Sequence, residues 1–270
     1  MDNKIKAVIF DWAGTTIDFG SCAPVDALCA AFAAAGVPIS PAQARHDMGL
    51  AKRDHVAALL GAPEIVIAWQ AVHSTHPTMA DGDRIYTALE PLMAKAAAGH
   101  TELIAGVAQV VRRLRADGVK IGSSTGYTRA MMAEILPRAA QQGYVPDVVV
   151  CAGETAEGRP SPLMVWKNLV DLGVWPAEYC VKVDDAEVGI AEGVNARCWT
   201  IGVAASGNGV GLDWPAFQAL DEAERRLRVD TAANALIDAG AHYVIDTVAD
   251  LPDVLTEINQ RLAHGERPDT

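Results

Sequence analysis

The sequence predicts an α/β fold: a parallel sheet covered by helices, with a separate all-helical domain inserted near its start. Three observations predict it. Six short runs, Ala7–Phe10, Val119–Ser123, Val148–Cys151, Cys180–Val183, Trp199–Val203 and Tyr243–Ile245, are apolar without alternation, as strands buried on both faces are. Between most of them lie stretches of helical periodicity that stop at glycine: Val107–Ala116 before Gly118, Arg129–Gln142 before Gly143 and Leu163–Leu172 before Gly173. A helix that ends at glycine and leads into a strand is the grammar of a βαβ unit. The third observation is a block that breaks this alternation. From Pro24 to about Ala98 the chain is rich in Ala, Leu and Met at helical spacing and offers no convincing strand.

Taken in order, the first strand leads into VIFDWAGTT, residues 8–16. Ligands of a parallel sheet bind at the carboxyl ends of its strands, which places Asp11 where chemistry happens. Gly14 permits a tight turn there, whose backbone N–H groups face an anion. A buried Asp capping a turn is the alternative for that residue taken alone. The helical block follows, with helices expected at Val25–Ala35, Ala42–Met48, Lys52–Leu60, Ile65–His73 and Asp81–Ala98. The expected domains are therefore a core of residues 1–20 and 100–270 and a cap of residues 21–99. The second strand ends in KIGSSTGYT, residues 120–128, where Thr125 and Gly126 precede a helix. A hydroxyl beside the free amides of a helix N-terminus makes an anion site, or an ordinary N-cap. In GRPSP, residues 158–162, Arg159 is fixed on a stiff loop, a fork of donors suited to a phosphate-like anion. The fourth strand ends in VKVDDAEVG, residues 181–189. Asp184 and Asp185 side by side need a cation or protons, and oxygen-only ligation suits Mg²⁺. Ala263–Thr270, polar and carrying Gly and Pro, reads as a frayed terminus.

Composition narrows the partners. With 270 residues, half of them hydrophobic, the chain has enough apolar surface for one large or two moderate cores. Its 22 Lys and Arg against 34 Asp and Glu give a net charge of −12, and with no basic cluster this is unfavourable for nucleic acid. No apolar run approaches the roughly 20 residues that cross a bilayer, and Met1–Lys6 is too polar to open a secretory signal. A cytoplasmic location with no membrane partner is expected. Cys22, Cys29, Cys151, Cys180 and Cys198 are odd in number and scattered, which reads as free thiols in a reducing compartment.

The order Asp11, Thr125, Arg159, Asp185 on successive strand ends, with a helical insert after the first, resembles the haloacid-dehalogenase-like superfamily. The resemblance covers nearly the whole chain and implies a Rossmann-like core with a cap. Within it, DWAGTT, MGLAK (residues 48–52) and STGYTR (residues 124–129) are similar to the phosphonatase family, the phosphonoacetaldehyde hydrolases. Phosphatases of the superfamily carry Asp two positions after the nucleophile; here that position is Ala13. An oxygen leaving group needs that acid, whereas a carbon leaving group does not if its electrons have another sink. Lys52 supplies one. An amine condensed with an aldehyde gives a protonated imine, and P–C cleavage then delivers its electron pair into an enamine.

For that chemistry Lys52 must be partly neutral, and its place at a helix start among Met48, Gly49, Leu50 and Ala51 disfavours the ammonium. His55 falls on the same helical face, where it would relay protons or simply pack. The resemblance further implies Asp11 as nucleophile, Mg²⁺ held by Asp11, the Ala13 carbonyl and Asp185 with Asp184 in support, and the phosphonate oxygens bound by Thr125, Gly126 and Arg159. It places Met48, Gly49, Tyr127 and Cys22 near substrate. For Met48, Tyr127 and Cys22 the residue types fit packing equally. One departure is Gly189, where the superfamily often has a second acidic residue. The implied reaction is hydrolysis of phosphonoacetaldehyde to acetaldehyde and phosphate, in 2-aminoethylphosphonate degradation, by a homodimer joined through its caps. A phosphatase or phosphomutase of the same fold is the nearest alternative, opposed by Ala13. A non-catalytic binding protein is the other, opposed by Asp11, Lys52, Arg159 and Asp185 occurring together.

Overall fold

The computed structural model describes residues 3–268. Six strands, β1 (Ala7–Phe10), β2 (Lys120–Thr125), β3 (Val148–Cys151), β4 (Cys180–Asp184), β5 (Trp199–Val203) and β6 (Tyr243–Ile245), form one sheet in the order β3-β2-β1-β4-β5-β6. Every pairing is parallel, with Ala7 opposite both Lys120 and Cys180. The order turns about β1, so the carboxyl ends of β1, β2 and β4 meet at the switch point where α/β sheets bind ligands. Two of these strands run one or two residues past the apolar runs that signal them, to Thr125 and Asp184. Parallel pairing with buried neighbours carries the polar residues along.

Between β1 and β2 come α1 (Cys22–Ala34), α2 (Pro41–Arg45), α3 (Lys52–Gly61), α4 (Pro63–His73) and α5 (Met79–Gly99). None of this segment enters the sheet. α5 starts at Thr78, whose hydroxyl and the Asp81 carboxylate form a capping box. It buries Ile85, Leu89, Met93 and Ala97, one face at a spacing of four, against α1 and α3. Two linkers join these helices to the sheet and run side by side. Ile17 bridges Leu103, and the Ile104 N–H donates to the Thr16 carbonyl at 2.9 Å. Asp18 ends the first linker by accepting from the N–H groups of Cys22 (3.1 Å) and Ala23 (2.9 Å) at the start of α1.

The remaining helices are α6 (Val107–Ala116), α7 (Arg129–Met132), α8 (Ile135–Gln141), α9 (Leu163–Leu172), α10 (Glu187–Asn195), α11 (Trp214–Ala219), α12 (Glu222–Asp238) and α13 (Leu251–Ala263). The single helix expected at Arg129–Gln142 is two, α7 and α8. Pro137 has no N–H for the carbonyl a turn earlier, so the continuous ladder fails and the helix restarts with proline in its first turn. The expected fraying after Ala263 is also corrected as far as Pro268. Arg267 pairs with Glu178 at 2.7 Å, and the His242 ring donates Nε2–H to the Pro268 carbonyl. Residues 269 and 270 lie outside the described residues. α10 lies unusually close to the sheet, because a Cβ at Gly193 would stand 2.6 Å from the Thr200 side chain and 2.8 Å from Lys182 Cβ. That closeness fixes where the charged groups of β4 and α10 meet.

Candidate active site

The site is assembled from strand ends. The Asp11 N–H donates to the Val183 carbonyl at 2.9 Å, one more step of the β1–β4 ladder, which sets its side chain beside those of Asp184 and Asp185. The chain then turns, with the N–H groups of Thr15, Thr16 and Ile17 converging on the Trp12 carbonyl. Gly14 is required in that turn: its φ is +86°, and a Cβ would stand 2.2 Å from Asp185 Oδ2. Asp185 is fixed on both oxygens, accepting from the Thr15 hydroxyl (3.1 Å) and the Asn208 N–H (2.8 Å).

The three carboxylates of Asp11, Asp184 and Asp185 are buried and present oxygens within 4.8 Å of one another. Burial and the Asp184 charge raise Asp11 to about 6. Burial, Asp11 and Asp184 raise Asp185 well above the carboxylate range. Burial acts the same way on Asp184, but Arg159 and Lys182 outweigh it and hold that carboxyl low. Counting Glu192, four buried carboxyl groups surround this end of the sheet, with the Arg159 and Lys182 side chains buried among them. Three clustered carboxyl groups, two of them raised by burial and by their neighbours' charges, and the all-oxygen donor set fit a hard divalent cation at Asp11, Asp184 and Asp185. Gly189 is accounted for by the same packing. A Cβ there would stand 2.0 Å from Asp184 Cγ, so the Asp184 carboxylate already fills the space that a side chain at position 189 would enter.

Arg159 is 4% exposed and touches most of the site. Nη2 donates to Asp11 Oδ1 at 2.8 Å and to the Ser124 carbonyl at 2.7 Å, while Nε donates to Glu192 Oε2 at 3.0 Å. Thr125 closes β2, and its hydroxyl accepts from the Tyr127 N–H at 3.1 Å. At Gly126 a Cβ would stand 2.6 Å from the Leu50 carbonyl, and at Gly49, φ +97°, one would stand 2.7 Å from Val188. These two glycines let the loop before α3 seat directly on the sheet end.

That contact carries Lys52 into the same cavity as Asp11. The cavity is lined by Asp11, Ala13, Met48, Lys52, Tyr127 and Arg159 among others, with Gly49, Thr125, Gly126, Asp184 and Asp185 also at its wall. Lys52 is 3% exposed, with Nζ 3.7 Å from the Met48 sulfur and 5.8 Å from the Tyr127 ring centre. Burial lowers its amine from 10.5 to about 8, against a partly compensating pull from Asp11. Burial, more than the helix start read from the sequence, is what disfavours the ammonium.

A stability effect follows. The folded state holds the Lys52 proton more weakly than the unfolded chain does, so the ammonium destabilises the fold below about pH 8, and that penalty fades as pH rises from 8 towards 10.5. Lys52→Met is therefore expected to raise stability at pH 7 by up to about 3 kcal/mol. It should also flatten the rise of stability with pH above 8, measured by urea unfolding across that range.

Two expected residues are placed differently. His55 is fully buried on α3 and does not line the cavity; burial, with Lys52 nearby, lowers it to about 3. Such a ring stays neutral through the physiological range and does not relay a proton as an imidazolium. Cys22 is also off the cavity wall, where Ser21 and Pro24 stand instead. Its thiol lies 3.8 Å from both the Phe19 carbonyl and Arg45 Nη2 at the linker, and burial raises it. The helix turn that begins at Cys22 points its Sγ back towards the linker. Sequence reading also missed Lys182, Glu192 and Ser124, all buried behind Arg159. One signal was available, since Lys182 interrupts an apolar strand and a lysine there needs a buried acid.

The haloacid dehalogenase-like hydrolase family matches residues 5–197. Phosphonoacetaldehyde hydrolase of Paraburkholderia xenovorans is 50% identical over 264 residues, 98% of this chain and 99% of that protein. That of Salmonella paratyphi C is 48% identical over 270 residues, 99% of this chain and 100% of that protein. The crystal structure of a phosphonoacetaldehyde hydrolase-like protein from Oleispira antarctica superposes with a TM-score of 0.96 at 44% identity, covering 98% of this chain and 96% of that one. Agreement of sequence and shape over nearly the whole length shows that the chain belongs to the phosphonoacetaldehyde hydrolases of the haloacid dehalogenase-like hydrolase family.

Proposed function

We propose that the chain cleaves the P–C bond of phosphonoacetaldehyde through an imine on Lys52 and a phosphoryl group on Asp11, giving acetaldehyde and phosphate. The observation that carries this reading is a buried lysine at about 8 sharing one cavity with the strand-end carboxylate, with Ala13 where an acid would protonate an oxygen leaving group. The neutral Lys52 amine adds to the aldehyde carbon and water leaves, giving an imine that takes up a proton. Asp11 attacks phosphorus; the P–C electron pair moves into the C–C bond and onto nitrogen, forming an enamine. Water then cleaves the aspartyl-phosphate, and protonation of the enamine at carbon followed by hydrolysis frees acetaldehyde and Lys52.

Arg159 and the Thr125 hydroxyl bind the phosphonate oxygens, with the Gly126 backbone beside them, while Met48 and Tyr127 wall the carbon end and exclude water. Mg²⁺ is the cation proposed for Asp11, Asp185 and the Ala13 carbonyl, with Asp184 in support. When bound it offsets the repulsion between carboxylate and phosphonate. Asp11, Lys52 and Arg159 are all nearly inaccessible, so substrate entry requires the cap of residues 21–99 to lift from the core of residues 1–20 and 100–270 and then close.

Release of equal amounts of phosphate and acetaldehyde from phosphonoacetaldehyde, dependent on added Mg²⁺, tests the reaction. Ala13→Asp is expected to slow it at least tenfold, because a carboxylate beside Asp11 adds repulsion with no leaving oxygen to protonate. Faster turnover of phosphate esters than of the phosphonate by the unaltered chain would favour the phosphatase reading instead.

We propose a cytoplasmic location, where aldehyde formed from 2-aminoethylphosphonate would supply the reaction. Among the described residues no single helix is long and apolar enough to cross a membrane. We further propose a homodimer through the cap, whose Ile67, Val72 and Met79 are exposed. Sedimentation should give about twice the mass of one chain, and Ile67→Glu should reduce it to one.

A further inference from the structure

Arg159 is itself held from behind, and the way it is held decides how much of Asp11 it covers. Glu192, on the inner face of α10, is fully buried. Its Oε2 accepts from Arg159 Nε at 3.0 Å and from the Ser124 hydroxyl at 3.0 Å, and lies 3.6 Å from Lys182 Nζ. Its Oε1 has no protein partner among the described residues. A buried carboxylate with one bare oxygen lowers stability, so its presence points to a role beyond packing.

An arginine facing a carboxylate prefers to lie across both oxygens, two parallel N–H···O bonds at once. Here it does not. With Nε taken by Glu192 and Nη2 shared between the Ser124 carbonyl and Asp11 Oδ1, the guanidinium meets Asp11 through one oxygen. Nη1 is left beside the Gly49 carbonyl at 3.5 Å, on the cap side of the cavity. The Nε and Nη2 edge of the guanidinium is therefore anchored to the core, and rotation into a two-oxygen grip on Asp11 would break the Nε bond. The Ser124 bond adds a second restraint, since Ser124 immediately precedes Thr125 at the end of β2.

We propose that Glu192 is a positioning residue for the hydrolysis: it turns Arg159 so that one oxygen of the nucleophile stays uncovered while the guanidinium still reaches the phosphonate. Lys182 serves it by neutralising the buried charge. The consequence is kinetic. Without Glu192, Arg159 closes over Asp11 and the step in which Asp11 attacks phosphorus slows, whereas Met48, Lys52 and Tyr127 keep their places on the cavity wall.

The test compares Glu192→Gln, which keeps an acceptor of the same size without its charge, with Glu192→Leu, which keeps neither. Steady-state kinetics with phosphonoacetaldehyde and saturating Mg²⁺ are measured beside circular dichroism and thermal melting. Loss of a charge-assisted hydrogen bond at this position corresponds to about 10- to 100-fold in rate. kcat is expected to fall by about tenfold in the Gln variant and further in the Leu variant, with any rise in KM smaller than the fall in kcat. A crystal structure of the Leu variant should show Arg159 across both Asp11 oxygens, and that of the Gln variant, whose amide oxygen still accepts from Nε, a lengthened Nε contact. The isosteric Gln variant carries the test if the Leu variant does not fold. Unchanged kcat in a folded variant overturns the proposal. So does a loss of activity that only follows the folded fraction while Arg159 keeps its single contact, and so does a rise in KM at constant kcat.

Discussion

Borohydride added during turnover is expected to inactivate the enzyme and leave a reduced two-carbon adduct on Lys52. The expectation rests on where the amine sits. Held at about 8 by burial, it is neutral in roughly a tenth of molecules at pH 7, against fewer than one in a thousand at the ordinary value of 10.5. The neutral amine adds to the aldehyde, and the protonated imine that follows is what borohydride reduces. Lys52→Arg keeps charge and approximate length but forms no imine, because a guanidinium stays protonated and is a poor nucleophile. P–C cleavage would then have to expel a bare carbanion. Neither Arg159 nor a cation at Asp11, Asp184 and Asp185 relieves that cost, since in the proposed reaction both act on the phosphonate group and not on the carbon that leaves. Activity should fall by several orders of magnitude. Adduct mapped to another lysine, such as Lys120 or Lys182, would remove Lys52 from this role. Lys182 makes a stringent control because it is fully buried and paired with Asp184 and Glu192.

Much of the fold is legible in the sequence, for a physical reason. Strands buried on both faces are largely apolar, so the six runs announced themselves, and Asp11, Thr125 and the Asp184–Asp185 pair, which follow or close three of them, fall at the strand ends of the switch point. Local pattern fails where a long-range contact decides. Nothing near His55 in the chain announces that it is packed away from the cavity, and nothing near Glu192 announces that it meets Arg159, 33 residues away. Gly189 read as a missing acid because the Asp184 carboxylate that fills its space comes from the preceding strand. The break at Pro137 was the exception, a local signal open to reading from the chain.

Asp11→Asn should stop phosphate release while leaving the fold at least as stable, and the two results together separate a nucleophile from a structural acid. The amide is nearly the same size and its oxygen still accepts the hydrogen bond from Arg159 Nη2, so the packing at the end of β1 is kept. Its effect on stability follows from the raised pKa. Burial and Asp184 hold Asp11 at about 6, above its ordinary 3.8, so the folded state binds its proton more tightly than the unfolded chain does. That preference favours folding at low pH and is lost as pH climbs from about 4 to 6; at pH 7 the ionised carboxylate destabilises the metal-free protein. The asparagine variant should therefore melt no lower than the unaltered chain at pH 7 without metal, and its stability should fall less between pH 4 and 6. Added Mg²⁺ should reverse the ranking, since a cation that binds only the folded state stabilises it more the tighter it binds, and the variant has lost one anionic ligand. Appreciable phosphate release by a clean preparation of the variant would mean that another group attacks phosphorus. A melting temperature lowered by many degrees, with no Mg²⁺ dependence in either protein, would make Asp11 a structural acid and leave the buried carboxylates without the cation that their charge requires.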